Sequence, residues 1–117
     1  MSIQRHEIGA RMSQAVVHNG TVYLAGQVAQ NAQGASITEQ TQDIVDTIDK
    51  LLAQCGSDKS KVLSATIWVN TMDDFAEMNA VWDAWVMAGQ TPCRACVESA
   101  RLAAPGFNVE IMVVAAA

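Results

Sequence analysis

Apolar positions along this chain recur with two periods, and the switches between them mark out its elements. Alternation runs through Gln14-Ala15-Val16-Val17-His18 and again through Thr21-Val22-Tyr23-Leu24-Ala25, with Asn19-Gly20 between them. Two β-forming runs joined by Asn-Gly predict a hairpin with a tight turn. Ile3 to Ile8 predicts a short edge strand ahead of it. Gly26-Gln27 follows the hairpin, and a glycine there lets a ligand or another backbone approach closely. Gln30 to Ala35 is polar and reads as a loop.

The period then lengthens. Ser36-Ile37-Thr38-Glu39 has the spacing of a capping box. Ile44, Val45, Ile48, Leu51, Leu52 and Cys55 recur at helical spacing until Gly56 closes the helix. Val62 to Asn70 is rich in β-branched residues and predicts a strand. Thr71 with Asp74 opens a second helix, whose stripe is Phe75, Met78, Val81, Trp82 and Trp85 and whose end is placed at Gly89. Thr91 to Leu102 alternates again behind Pro92, which suits a strand start. Arg94, Cys96 and Glu98 fall on one face, Ala95, Val97 and Ser99 on the other. Ala103 to Phe107 is a turn, and Val109 to Ala116 the last strand. A simple hairpin centred near Ala104 would set Glu110 closer to Glu98 than to Arg94.

The order of elements predicts an α+β domain spanning residues 1–117, with two helices on one face of a mixed sheet. The other sheet face is also apolar in places. Such a face needs cover, and a symmetric oligomer would supply it.

Composition narrows the function classes. Half of the 117 residues are apolar and 16% are charged, which suits a packed core and argues against disorder. The net charge of −5 comes without any basic run, a poor start for binding nucleic acid. A small anionic ligand stays open, because one local arginine can reverse the sign inside a pocket. Met1 to Arg11 lacks the apolar block of a signal peptide, and the longest apolar run, Ile111 to Ala117, is too short for a membrane span. Three cysteines without a secretory signal read as reduced thiols in a cytoplasmic protein.

Few residues carry candidate chemistry. Cys93-x-x-Cys96 has the spacing of a redox or zinc half-motif, but residues three apart on a strand face opposite sides, and no second ligand pair exists. No metal is expected. Cys96 instead suits a small residue lining a pocket. His6 and His18 are each isolated, and neither a nucleophile elbow nor a phosphate loop occurs. Trp82 and Trp85 read as core. Asn79 lies off their stripe, a surface residue or a polar contact at a subunit boundary.

Glu110 is the informative acid, because it lies within Val109-Glu110-Ile111-Met112-Val113-Val114. A carboxylate in such a run needs a partner, or its pKa must rise. It pairs with Arg94 or Arg101 as a scaffold ion pair, or Arg94 grips a substrate carboxylate while Glu110 positions a water. Spacing alone does not separate these two readings.

The chain resembles the RidA/YjgF/UK114 family of enamine/imine deaminases over nearly its whole length. The resemblance rests on Ser13-Gln14-Ala15-Val16, Ala25-Gly26-Gln27, Asp74 to Asn79, Pro92-Cys93-Arg94-Ala95-Cys96-Val97 and Val109-Glu110-Ile111. It implies a chorismate-mutase-like fold, a homotrimer with ligand clefts between subunits, and hydrolysis of species such as 2-aminoacrylate to a 2-keto acid and ammonia. No metal or cofactor is implied. By the same resemblance Arg94 binds the substrate carboxylate, Glu110 orders the hydrolytic water, and Gly26, Asn79 and Cys96 line the cleft. Where the family commonly has Gly-Pro-Tyr, this chain has Ala10-Arg11-Met12, and Ala25 stands where serine is frequent. A keto-acid-binding module without turnover is the alternative implied by the missing tyrosine. A ribonuclease or translation inhibitor, a role attached to some relatives, fits the acidic charge less well.

Overall fold

A computed structural model describes residues 2–117. The elements in chain order are β1 (Gln4–Ile8), β2 (Ser13–His18), β3 (Thr21–Leu24), β4 (Gln27–Val28), α1 (Ile37–Gln54), β5 (Val62–Val69), α2 (Phe75–Trp85), β6 (Cys93–Glu98) and β7 (Val109–Ala116). Single 3-10 turns precede β5 and α2.

The strands form one mixed sheet in the order β1-β2-β3-β7-β5-β6, with β4 also on β7. Asn19 and Gly20 both carry positive φ, 51° and 75°, as the tight β2–β3 turn requires. In α1 the Ser36 hydroxyl accepts from the Glu39 amide at 3.1 Å. Gly56, at φ 75°, follows the α1 C-cap residue Cys55. Ile44, Val45, Ile48, Leu51 and Leu52 of α1 are buried. They pack with Val22, Ile67, Ile111 and Val113 of the sheet and Met78, Trp82 and Trp85 of α2. Each such side chain removed from water stabilises the fold by about 1.5–3 kcal/mol.

Three expectations change. The helix α2 stops at Trp85, because Val86 is already extended at ψ 155°. Gly89 lies beyond it, in a turn closed by the Gln90 amide on the Met87 carbonyl at 3.0 Å. The strand β6 makes no hairpin with β7. It pairs in parallel with β5, which separates the two. A strand, a helix and a strand in succession form a crossover unit, whose strands run parallel. The two-residue strand β4 was not expected; its Gln27 and Val28 pair with Ile111 and Glu110.

Along β7, Val109, Ile111, Val113 and Ala115 are buried beneath the helices, while Glu110, Met112, Val114 and Ala116 alternate onto the other face. That outer face exposes Tyr23, Val97 and Met112. No helix is long and apolar enough to cross a membrane among the described residues.

Candidate active site

Two polar centres arise from this framework, one on each face of the sheet. The first is Arg94. Parallel register sets Arg94 beside Ala65, Cys96 beside Ile67 and Glu98 beside Val69, so all three lie on the helix side. There Arg94 meets one face of α2, formed by Phe75, Asn79 and Trp82 at helical i, i+4 and i+7 positions. Its Nη1 donates to Asn79 Oδ1 at 2.7 Å. Its guanidinium carbon lies 5.7 Å from the centre of the Phe75 ring and 5.6 Å from that of Trp82, within the range of a cation–π contact. Cys96 is half-buried against the core. Burial pushes its thiol pKa up, and the neighbouring Arg94 charge partly opposes the rise. Cys93 takes the opposite face, as alternation requires, and donates to the Leu63 carbonyl.

The second centre is Glu110. Between β3 and β4 the ladder on β7 is interrupted, since Tyr23 pairs with Val114 and Gln27 with Ile111. Gly26 lies in that break. A Cβ placed on it would overlap Oε2 of Glu110 and stand 3.0 Å from the carboxyl carbon. The close approach expected at this glycine is therefore made by a side chain, and the missing Cβ is the space the carboxylate occupies. Burial raises the Glu110 pKa. Glu110, Gly26, Met12, Gln14, Gln27 and Phe107 help to line an open cleft of about 680 Å³. Gln27 Nε2 donates to Gln14 Oε1 at 2.9 Å and to the Ala25 carbonyl at 3.0 Å, which braces the floor. Glu7, whose φ is 51°, also borders the cleft.

The scaffold ion pair between Arg94 and Glu110 is excluded within a single chain by this arrangement. Glu110 is level with Trp68, and Trp68 with Val97, three residues beyond Arg94. Two inter-strand steps of about 4.8 Å and three residues of about 3.3 Å separate the two Cα atoms by about 14 Å, with the side chains on opposite faces. Arg94, Asn79 and Cys96 thus form one half of the expected site, and Gly26 and Glu110 the other. Arg101 lines a separate hollow of about 410 Å³ with Asn70 and the loop to Phe107.

Sequence reasoning assigned Trp82 to the core alone. It is only 5% exposed, yet Arg94 lies over its ring. The signal was available in the spacing of Phe75, Asn79 and Trp82 on one helix face. Among the described residues, no three His, Cys, Asp or Glu side chains gather as metal ligands.

Comparisons with known proteins agree with this architecture. The family model described as Endoribonuclease L-PSP matches residues 3–117. The RutC family protein YoaB of Escherichia coli strain K12 is 46% identical over 116 residues, 99% of each chain. A RutC family protein of Haemophilus influenzae is 44% identical over 115 residues, 98% of each. The crystal structure of a YjgF family protein from Neisseria meningitidis superposes with a TM-score of 0.94 at 50% identity, covering 99% of this chain and 95% of that one.

Proposed function

The chain belongs to the RidA/YjgF family, and from that premise we propose that it hydrolyses small 2-imino acids, the tautomers of enamines such as 2-aminoacrylate, to 2-keto acids and ammonia. The observation that carries this reading is the state of Arg94. It is ordered by α2, but its hydrogen bond is to the neutral amide of Asn79 rather than to an acid. Its remaining donors suit a carboxylate, which a guanidinium can hold through two parallel bonds.

The chemistry needs little more than position and charge. With the substrate carboxylate on Arg94, the imine carbon is fixed within a few ångströms of it. Glu110 accepts a hydrogen bond, then a proton, from a water. The water oxygen bonds to the imine carbon as the C=N π pair moves onto nitrogen. Glu110 returns that proton to the nitrogen, then takes the hydroxyl proton of the tetrahedral carbinolamine and passes it to the amine as well, so that the C–N bond breaks as the carbonyl forms and ammonia leaves with the keto acid. A raised pKa on Glu110 suits a group that must both take and return a proton near neutrality.

Arg94 and Glu110 cannot both touch one small substrate within a single chain, given their faces and separation. The reading therefore includes a homotrimer. In its inter-subunit clefts the Arg94 face of one copy, with Asn79 and Cys96, meets the Gly26–Glu110 face of another. The exposed outer-face residues Tyr23, Val97 and Met112 are apolar surface that such an assembly would cover.

An amino-acid oxidase generating imines in the presence of semicarbazide tests the activity. Wild-type protein should suppress semicarbazone formation and Arg94→Ala should not; equal traces would refute the reading. Met12 in place of the family tyrosine favours a second reading, a module that holds a keto acid without turnover. Calorimetric binding of 2-oxobutanoate by a protein silent in the semicarbazide assay would establish it. The ribonuclease role matches the description of the family model. It would require RNA cleavage that survives repurification and vanishes in Arg94→Ala.

A further inference from the structure

We propose that Trp82 is a positioning residue, whose ring face, with that of Phe75 beside it, holds the Arg94 guanidinium in the orientation that receives a carboxylate. This rests on the reading of Arg94 as the carboxylate-binding residue.

Arg94 belongs to an edge strand and is itself exposed. A free arginine side chain there samples many rotamers, and a carboxylate would have to order it on binding. Two kinds of contact restrict it here. Asn79 takes one N–H, which fixes one corner of the fork. The rings of Phe75 and Trp82 stand at nearly equal distances from the guanidinium carbon, 5.7 and 5.6 Å, which fixes where the cation rests. Indole offers the strongest cation–π attraction of the aromatic side chains. A ring face attracts the guanidinium without competing for its N–H donors, so the fork stays available for oxygen ligands.

Trp82 is held firmly enough to serve. It is buried, and its ring centre is 5.2 Å from that of Trp85 at an interplanar angle of 51°. Trp85 in turn donates from Nε1 to Asp49 Oδ1 on α1 at 3.0 Å. A continuous line of contacts thus runs from Asp49 through Trp85 and Trp82 to the guanidinium. The ring that borders the cation is part of the core, while the cation itself reaches solvent.

Two readouts test this. The first is the Arg94 Nε–Hε signal by NMR, assigned by its disappearance in Arg94→Lys. It should be shifted upfield by the two rings, keep most of that shift in Trp82→Phe, and fall in Trp82→Leu to the part that Phe75 contributes. The second is steady-state deamination with a set of fluorinated tryptophans incorporated at position 82 alone. These keep the shape and burial of the ring and withdraw density from its face. KM should rise stepwise with fluorine number, reaching about tenfold, while kcat changes less than about twofold. A flat KM series, or an Hε shift unaltered in folded Trp82→Leu, would overturn the proposal. Should Trp82→Leu fail to fold, the fluorinated series and Trp82→Phe decide. A wild-type protein without deaminase activity would refute the proposed function separately, and the NMR shift would still show whether Trp82 orients Arg94.

Discussion

Arg94 and Glu110 are built into this sheet by opposite means. Arg94 is ordered by attraction: an amide oxygen 2.7 Å away and two aromatic faces hold a cation at the sheet edge. Glu110 is ordered by omission: a missing Cβ at Gly26 leaves a notch in the ladder, and the carboxylate fills it. Under the proposed function the first half is already arranged to receive an anion. The second holds a charge at a cost, because desolvation penalises an ionised carboxyl. A single chain carries both halves and cannot join them, so under the proposed function each copy supplies one half to each of two clefts.

The contrast predicts which half is the more fragile. Among changes that leave both charged groups in place, Gly26→Ala should have the largest effect, since a methyl group there takes the position of Oε2. A displacement of the carboxylate by about an ångström lowers kcat on the order of 100-fold. The clash should also lower the melting temperature; the same substitution made in Glu110→Ala should cost almost no further stability, and near-additive losses in that double mutant would break the notch explanation. On the other half, Asn79→Ala removes one of several contacts to Arg94. KM should rise about three- to tenfold with kcat nearly unchanged, as expected for the net worth of one solvent-exposed hydrogen bond. A loss confined to kcat would show that Asn79 touches the reacting atoms instead.

The smallest effect is on stability against pH. The folded-state pKa of Glu110 is raised above its ordinary value by burial. Between those two values the folded chain binds more protons than the unfolded one, so this group's contribution to stability falls as pH rises through that window. Glu110→Gln removes the decline. Melting temperatures of the two proteins should therefore diverge in favour of the variant as pH rises above the usual carboxylate range. Parallel melting curves would mean the carboxyl is better solvated than its notch implies.

Local signals carried much of this fold. Asn19-Gly20 determined the β2–β3 hairpin because a positive φ at both positions admits few residues. Ser36 and Glu39 set the start of α1, and the alternation through β7 gave its bounds and the odd position of Glu110. Pairing was less legible. Adjacent strands separated by a turn suggest a hairpin, but β6 is the return strand of a β5–α2–β6 crossover, and β5 occupies the place β7 would need. The strand β4 is too short for any period to show. At the site, the residue types of Arg94 and Glu110 were informative, whereas their faces depended on register across three strands. The Gly26 notch depended on two separate pairings with β7, and the contact of Trp82 with Arg94 on how α2 docks. Neither is encoded in a local period.

Subunit complementation probes the division of the site most directly. Arg94→Ala and Glu110→Gln should each be inactive alone. Co-refolded in equal amounts they assemble at random, and across all the trimers formed roughly a quarter of the clefts pair an intact Arg94 from one copy with an intact Glu110 from another. A site divided between copies predicts recovery of about a quarter of wild-type specific activity from two inactive proteins. A mixture of confirmed mixed trimers that stays inactive would contradict it.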